Sequence, residues 1–287
     1  MNRLLSINIE ENFNNKTIKS VLMDYGFSSA LIKSLKLSPD SVKVNETPKK
    51  LIDTVHLGDI LTVLISEPSS NIKPVRIALD ILYEDEDIIL INKPRNMPTH
   101  PSHEHTDDTL ANALMHHFNS KLTFHPITRL DKDTSGVVLV AKNALSAKLL
   151  TDSINNKEIK KEYIAIVHGT PNPLSGVISA PIQKSGHGIL RTISASGSDA
   201  KTIYRVIATK NNLSQVSLSP ITGRTHQLRV HMAYISTPIY GDWLYNLNPS
   251  DGKTRLHCHK LTFIHPLTKK SIEISAPLPD DMNITNI

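Results

Sequence analysis

A loop rich in charged and hydroxyl side chains comes directly before the apolar run Val137 to Ala141. The loop extends from Arg129 to Gly136, and its short hydroxyl side chains and glycine are suited to a turn that holds a carboxylate rigidly. A carboxylate held in this way can act as a nucleophile or as a base. Only Leu130 separates Arg129 from Asp131, so an extended backbone would direct both charges to one side. The spacing alone favours a plainer interpretation, an exposed salt-bridged loop.

Two later segments carry side chains that suit the same chemistry. They are Lys161-Glu162-Tyr163-Ile164-Ala165 and Thr222-Gly223-Arg224-Thr225-His226-Gln227-Leu228-Arg229-Val230-His231. Together with the Asp131 loop, and in the same order, they resemble the motifs of the RluA/RluD-type RNA pseudouridine synthases. Smaller similarities lie at Asn92-Lys93-Pro94, His100-Pro101, Gly241-Asp242 and Leu256 to Pro266. The resemblance covers about residues 78 to 279.

The resemblance implies an enzyme that isomerises uridine to pseudouridine in structured RNA, either ribosomal or transfer RNA. It implies that Asp131 is the catalytic carboxylate, which either adds to the sugar or removes a ribose proton. Tyr163 is then the aromatic residue against the target base, with a hydroxyl that is a candidate acceptor for the proton on carbon 5. Arg229 is the candidate partner of Asp131, because a planar guanidinium can bind a carboxylate in two places.

Three further residues are expected to bind the substrate. The resemblance implies that Arg129 fills the place that the target base leaves in the RNA stack, or binds a phosphate. Leu228 is expected against the base, although an ordinary core position explains it as well. Thr134, which can satisfy backbone groups in the turn, completes the predicted substrate-binding set. His226 and Arg229 are three residues apart, so we expect them to share one helical face.

The composition of the 287 residues is that of an ordinary globular protein, with 39% hydrophobic and 21% charged residues. The net charge of +5 suits a polyanionic partner such as RNA. The apolar runs are too short to span a bilayer and no signal peptide is evident, so we expect a cytoplasmic protein, and a monomer. The isomerisation changes no oxidation state, so no metal, nucleotide or other cofactor is expected.

Cysteine and histidine suggest no metal site. A single cysteine, Cys258, excludes an intramolecular disulfide and a site built on several thiolates, and we expect it to be a small buried residue. No cysteine or carboxylate completes a recognised ligand spacing with the clustered histidines. These histidines are His100, His103, His105, His116, His117 and His125.

The chain is predicted to hold two domains. Residues 1 to 68 contain a helix before Gly26, a second helix capped by Ser28, and short strands, which indicates a small α/β domain. It resembles the small RNA-binding domain that precedes the catalytic domain in many members of the family, and a stabilising or positioning role is the alternative. Residues 69 to 77 are interpreted as a linker and residues 78 to 287 as the catalytic domain.

After the linker, strand-like runs follow one another with few helices between them. This order predicts an α+β domain built on a mostly antiparallel, mixed sheet. The predicted strands are Ile88 to Ile91, Val137 to Ala141, Tyr163 to Val167, Lys201 to Ala208, Gln215 to Leu218 and Ser271 to Ile274. The predicted helices are Asp108 to His117, capped by its aspartates, Leu145 to Ser153, and one that begins near Thr225.

Two other functions fit parts of the sequence. A non-catalytic RNA-binding or ribosome-assembly protein could keep the fold, but it would have no need of Asp131, Tyr163 and Arg229 together. A hydrolase for a glycosidic bond would normally require a second carboxylate, and Asp133 is the only near neighbour in the loop. Free uracil among the products would identify the hydrolase, and RNA binding without new pseudouridine would identify the binding protein.

Overall fold

Residues 2 to 65 form a four-stranded antiparallel sheet with two short helices. The structure is a computed structural model, and it describes residues 2–68, 70–186, 188–247 and 251–284. The elements of this first unit are β1 (Arg3–Asn8), α1 (Ile18–Asp24), α2 (Ser29–Leu35), β2 (Val42–Val44), β3 (Thr47–Pro48) and β4 (Ile60–Ile65). Strands β1 and β2 both pair with β4, and β3 pairs with β2.

The two helices begin and end where the sequence indicates. The Thr17 side chain accepts the backbone N–H of Ser20 at the start of α1, and Gly26 follows the helix with a φ of +94°. Ser28 then accepts the N–H of Leu31 at 3.1 Å and caps α2. The predicted helix pair is therefore confirmed.

The remaining described residues build a ten-stranded sheet, a small hairpin and three helices. The strands of the large sheet are β5 (Ile81–Glu84), β6 (Ile88–Lys93), β7 (His125–Pro126), β8 (Ser135–Ala141), β9 (Lys160–His168), β10 (Ser175–Ser179), β13 (Lys201–Lys210), β14 (Leu213–Pro220), β15 (Leu256–Ile264) and β16 (Ser271–Ser275). The hairpin joins β11 (Ile182–Lys184) to β12 (Arg191–Ile193). The helices are α3 (Leu110–His117), α4 (Ala144–Asn155) and α5 (Gln227–Tyr234).

The order of the strands is β10-β13-β14-β9-β15-β8-β6-β5, with β7 on β8 and β16 on β15. Every pair of these strands is antiparallel except β8 with β15, which are parallel. The predicted α+β class with a mostly antiparallel, mixed sheet is confirmed. None of the helices in the described ranges is long and apolar enough to cross a membrane.

The strand that follows the Asp131 loop lies at the centre of the core. All seven residues of β8 are buried, which explains why its sequence is a continuous apolar run and does not alternate. It lies between β6 and β15, and Val138 and Leu139 are fully buried with the inner residues of β6. This packing gives the loop at the start of β8 a rigid support.

Helix α3 is capped differently from the prediction. Thr109, and neither of the preceding aspartates, is the capping residue, and it forms a reciprocal capping box with Asn112. Asp108 instead lies 2.6 Å from the ring Nδ1 of His105. The prediction was wrong by one residue, because residue type ranks aspartate above threonine as a cap, whereas the reciprocal contacts with Asn112 select Thr109 in the folded chain.

The chain between the two sheets follows the surface of the second. The carbonyl of Pro68 accepts a hydrogen bond from Thr123, and the carbonyl of Lys73 accepts one from Asn112. The two units also touch directly, since Leu145 of α4 is buried in the core of the first unit. The division at residues 69 to 77 stays a prediction, and Ser69 lies outside the described residues, as do Met1 and residues 285 to 287.

Candidate active site

The turn that carries Asp131 is held by hydrogen bonds along its backbone. The backbone N–H of Thr134 donates to the carbonyl of Asp131 at 3.1 Å and closes the turn. Thr99 donates to the carbonyl of Leu130 at 3.0 Å from the neighbouring loop. These hydrogen bonds fix the backbone at Asp131. Its side chain is 32% exposed, so the carboxylate is open to a ligand.

Gly136 sets the distance between this turn and strand β15. Its φ is +110°, and a Cβ atom built at this position would lie 2.2 Å from the carbonyl oxygen of Cys258. Such an approach leaves no room for any side chain. Because Cys258 pairs with both Gly136 and Tyr163, the backbone contact fixes the Asp131 turn relative to the strand of Tyr163.

Arg229 has a different main partner from the one expected. The guanidinium donates from Nε and from Nη2 to the two carboxylate oxygens of Asp242, each at 2.7 Å, in a buried pair. Only Nη1 turns to Asp131, and it lies 3.8 Å from Oδ2. The expected two-point contact with Asp131 is therefore wrong, because Asp242 takes both binding positions. Burial alone would lower the pKa of Arg229, but the hydrogen bonds and charge of Asp242 outweigh it and raise this pKa.

His226 approaches Asp131 from a second direction. It lies before α5 with a left-handed backbone, φ 56° and ψ 17°, so it does not share a helical face with Arg229 as expected. Its Nε2 atom nevertheless lies 4.0 Å from Oδ2 of Asp131. Two nitrogen atoms thus converge on one carboxylate oxygen, and both are just beyond hydrogen-bond distance.

Tyr163 lies on β9 and is 7% exposed. Burial raises the pKa of Tyr163 well above its ordinary value, and the neighbouring Cys258 and Asp131 raise it further. The hydroxyl is therefore protonated at neutral pH, which makes it a poor acceptor for a proton. Cys258 is buried as expected, and burial raises the pKa of its thiol to about 11.

All six residues that the sequence indicated line one groove of about 960 Å³. They are Asp131, Tyr163, Arg229, Arg129, Leu228 and Thr134. Leu228 and Thr134 are buried in the wall of the groove, and Arg129 is exposed at its mouth. Basic side chains are frequent in the lining of the same groove. These are Lys132, Lys157, Lys160, Lys161, Arg224 and Lys260.

Lys93 was not given a role from the sequence, although it lies under the Asp131 turn. Its fully buried ammonium donates to the carbonyls of Pro94, Met97 and Lys132, at 2.9, 2.8 and 3.3 Å. Burial lowers the pKa of Lys93 to about 7, although the charges of Asp131 and Asp133 oppose this shift. The sequence signal for Lys93 was the run Asn92-Lys93-Pro94, one of the smaller similarities to the family. The run Gly241-Asp242 was the corresponding signal for Asp242, although it did not indicate the pairing with Arg229.

The described residues contain one group that could be mistaken for a metal site, and it lies outside the groove. Asp85, Asp87 and His265 have ligand atoms within 4.8 Å of one another. Nδ1 of His265 accepts the N–H groups of Leu267 and Thr268, so the ring proton is on Nε2, which donates to Asp85 at 3.0 Å. A protonated Nε2 is no metal ligand, and the contacts describe a structural network.

The fold places a carboxylate, that of Asp131, in a groove that several basic side chains also line. The profile of one protein family, described as RNA pseudouridylate synthase, matches residues 87–234. The uncharacterized RNA pseudouridine synthase YjbO of Bacillus subtilis is 36% identical over 274 residues, which are 93% of this chain and 97% of that protein. The chain therefore belongs to the RNA pseudouridylate synthase family.

Two further comparisons agree with this assignment. The ribosomal large subunit pseudouridine synthase D of Vibrio cholerae is 37% identical over 246 residues, 78% of this chain and 75% of that protein. The solved structure of human RNA pseudouridylate synthase domain containing 1 superposes with a TM-score of 0.61 at 26% identity, over 74% of this chain and 86% of that one. The chain is an isomerase that converts uridine to pseudouridine in RNA, as the motifs predicted.

Proposed function

We propose that Asp131 is the catalytic carboxylate of this pseudouridine synthase. The observation that carries the proposal is the position of its side chain, which lines the groove and is partly exposed there, while Arg229 and His226 both approach Oδ2. The ionised carboxylate is the form that can attack carbon or accept a proton.

The reaction keeps every atom of the nucleotide. The bond from ribose C1′ to base N1 breaks, the base turns, and a bond forms from C1′ to C5. The proton leaves C5, and N1 gains one. Asp131 serves this sequence either by adding to C1′ or by removing a ribose proton, and both routes need it ionised at the start. The protonated Tyr163 hydroxyl is a weak base, so we assign Tyr163 to holding the base.

The other groove residues suit a uridine that has left its stack. Unstacking costs a few kcal/mol, and stacking of the base on Tyr163 would return roughly 1 to 3 kcal/mol. Leu228 and Thr134 form the adjacent wall, so they would contact the base and the sugar. Arg129 at the mouth would occupy the vacated place in the RNA or bind a phosphate. Arg229 would stabilise the carboxylate and has no direct contact with the base in this assignment.

The proposed substrate is a uridine in structured ribosomal or transfer RNA. The Vibrio cholerae relative is named for the large ribosomal subunit, which favours ribosomal RNA. We further propose that the protein is a monomer, that it acts in the cytoplasm where such RNA is modified, and that it needs no cofactor. The unit before residue 69 would serve as a small RNA-binding or positioning domain ahead of a catalytic domain that begins near residue 78.

The test compares two neighbouring aspartates. Asp131→Asn is expected to unfold at the wild-type temperature but to release no tritium from RNA labelled at uridine carbon 5. Asp133→Asn is the control, because Asp133 accepts a hydrogen bond from Trp243 and an amide oxygen can still accept it. Full tritium release by Asp131→Asn would end the proposal.

A further inference from the structure

A hydrogen-bonded chain links the β11–β12 hairpin to the ring of His226. The backbone N–H of Arg191, on β12, donates to the hydroxyl oxygen of Tyr245 at 2.9 Å. The same hydroxyl lies 2.8 Å from Nδ1 of His226. Because the backbone N–H can only donate, the Tyr245 oxygen is the acceptor there, and its own hydrogen is free to be donated to Nδ1.

This arrangement favours one tautomer of His226, because donation to Nδ1 is the hydrogen bond in which the Tyr245 hydroxyl uses its own hydrogen. If Nδ1 accepts from Tyr245, the hydrogen of the neutral ring must be on Nε2. Nε2 is the atom that faces Asp131, at 4.0 Å from Oδ2. The chain therefore ends in an N–H group that is directed at the proposed catalytic carboxylate.

The surroundings of His226 keep the ring neutral. Burial lowers the pKa of His226, and the charges of Arg229 and Arg191 lower it further, whereas Asp131 and Asp242 oppose the shift. These four residues are the charged groups that face the ring, from α5, β12, the Asp131 turn and the turn after α5. A neutral ring has one N–H, so its direction depends on the hydroxyl of Tyr245.

The ring of Tyr245 also helps to hold the site in shape. It meets His226 edge to face, with centroids 5.7 Å apart, and the guanidinium of Arg229 lies 5.3 Å from its centroid. The backbone N–H of Tyr245 donates to Asp242, the partner of Arg229. A phenylalanine would keep the ring contacts and lose only the hydroxyl, so the hydrogen-bonded chain can be cut without removing the packing.

We propose that His226 is a positioning residue for Asp131, and that Tyr245 sets its tautomer. In the assembled complex with RNA, Nε2–H of His226 and Nη1 of Arg229 close on Oδ2 and leave Oδ1 to meet the ribose. Catalytic hydrogen bonds are commonly loose in a free enzyme and tighten with substrate, which fits the present distances of 4.0 and 3.8 Å. The proposal rests on the proposed role of Asp131.

The first experiment measures tritium release in single turnovers by the full-length protein. The substrate is total RNA, labelled at uridine carbon 5, from cells that lack the gene. Tyr245→Phe is expected to lower the rate at saturating enzyme by about tenfold or more, because the carboxylate loses its orientation. The enzyme concentration at half-saturation should change by less than about twofold. Tyr234→Phe, at the exposed end of α5, is the control with a wild-type rate.

The second experiment separates the tautomer from mere packing with a double-mutant cycle. In His226→Gln, the amide N–H₂ replaces Nε2–H and needs no neighbour to select its proton. Adding Tyr245→Phe to this variant should cost less than about twofold in rate, against about tenfold in the wild type. An equal cost in both backgrounds would refute the proposal. If His226→Gln is too slow to measure, the rate of Tyr245→Phe compared with that of the wild type tests the proposal alone.

These experiments also distinguish a failure of the proposed role of His226 from a failure of the proposed role of Asp131. Activity in Asp131→Asn would remove the proposed role of Asp131 and, with it, the reason to position that side chain. An inactive Asp131→Asn together with a Tyr245→Phe variant that equals the wild type would remove only the role of His226. Equal losses in rate and in RNA affinity for Tyr245→Phe would show a structural effect and would also overturn the positioning role.

Discussion

The guanidinium of Arg229 is bound in two places by Asp242, at 2.7 Å each, and stands off from Asp131 at 3.8 Å. The cation is therefore held in place before any substrate arrives, and it does not depend on Asp131 for its position. A carboxylate that reacts with a sugar must be able to change its contacts. Because Asp242 holds Arg229, Asp131 can change its contacts without leaving the buried charge of Arg229 unpaired.

Removing Asp242 is expected to be far more damaging to the fold than removing Asp131. Asp242→Ala leaves the buried charge of Arg229 without its partner, and breaking such a pair costs about 3 to 5 kcal/mol. Urea unfolding measures the loss as a lower midpoint. Asp24→Ala is the matched control, because its pair with Lys16 is on the surface and should contribute less than about 1 kcal/mol. Equal losses for the two variants would contradict the importance of the buried pair.

A methyl group at Gly136 is expected to disrupt the centre of the sheet. Gly136→Ala places a Cβ atom 2.2 Å from a backbone oxygen of Cys258, which is not a flexible side chain and cannot move aside. We expect a loss of about 4 kcal/mol or more, together with loss of activity. Gly58→Ala is the control, since Gly58 also has a positive φ, +86°, but has no atom within 4 Å of the added carbon. It should cost only about 1 to 2 kcal/mol.

Lys93 should make the stability of the protein depend on pH in the alkaline range. Its pKa is about 7 in the folded protein against 10.5 ordinarily, so between these values the unfolded chain binds a proton that the folded protein does not. Stability from this group therefore rises as pH rises through that window, by about 2 kcal/mol from about pH 7 to about pH 9. Lys93→Met should remove this rise of unfolding free energy with pH. The loss of the Lys93 hydrogen bonds lowers stability as well, but by an amount that does not depend on pH. Parallel curves of unfolding free energy against pH for the two proteins would refute this prediction.

Exposed basic residues that line the groove, such as Lys160, should contribute to RNA affinity without contributing to the reaction. Lys160→Ala should weaken binding and reduce the slope of log affinity against log salt by about 0.7, because one phosphate contact is lost. The rate at saturating enzyme should stay at the wild-type value. Lys269→Ala is the control, since the ammonium of Lys269 donates to the carbonyl of Pro266 outside the groove. An unchanged slope for Lys160→Ala would place the RNA elsewhere.

Residue types and local order were enough to predict the components of the site. The helix pair with Gly26 and Ser28 follows from capping chemistry, which involves only neighbouring residues. The motif segments around Asp131, Tyr163 and Arg229 were found from their order along the chain, and all three side chains do line one groove. The catalytic roles of these residues stay predictions until the variants are measured.

The partners of these residues could not be predicted in the same way. Asp242 is thirteen residues beyond Arg229, across a helix end and a turn, so no sequence periodicity connects them. The tautomer of His226 depends on Arg191 and Tyr245, which are brought together only by the folded chain. The capping residue of α3 was misplaced because propensity favours Asp108 over Thr109, and the contacts with Asn112 that select Thr109 form only in the helix.

The position of β15 between β8 and β9 has a consequence for synthesis of the protein on the ribosome. The strands that support Asp131 and Tyr163 belong to two halves of the sheet, and β15, made from residues 256 to 264, is the strand that joins them. A nascent chain that lacks this strand holds both side chains but no fixed distance between them. The enzyme thus becomes competent only after residues 256 to 264 have been made and have paired with both strands, and a chain that stops before them has no assembled site with which to modify RNA.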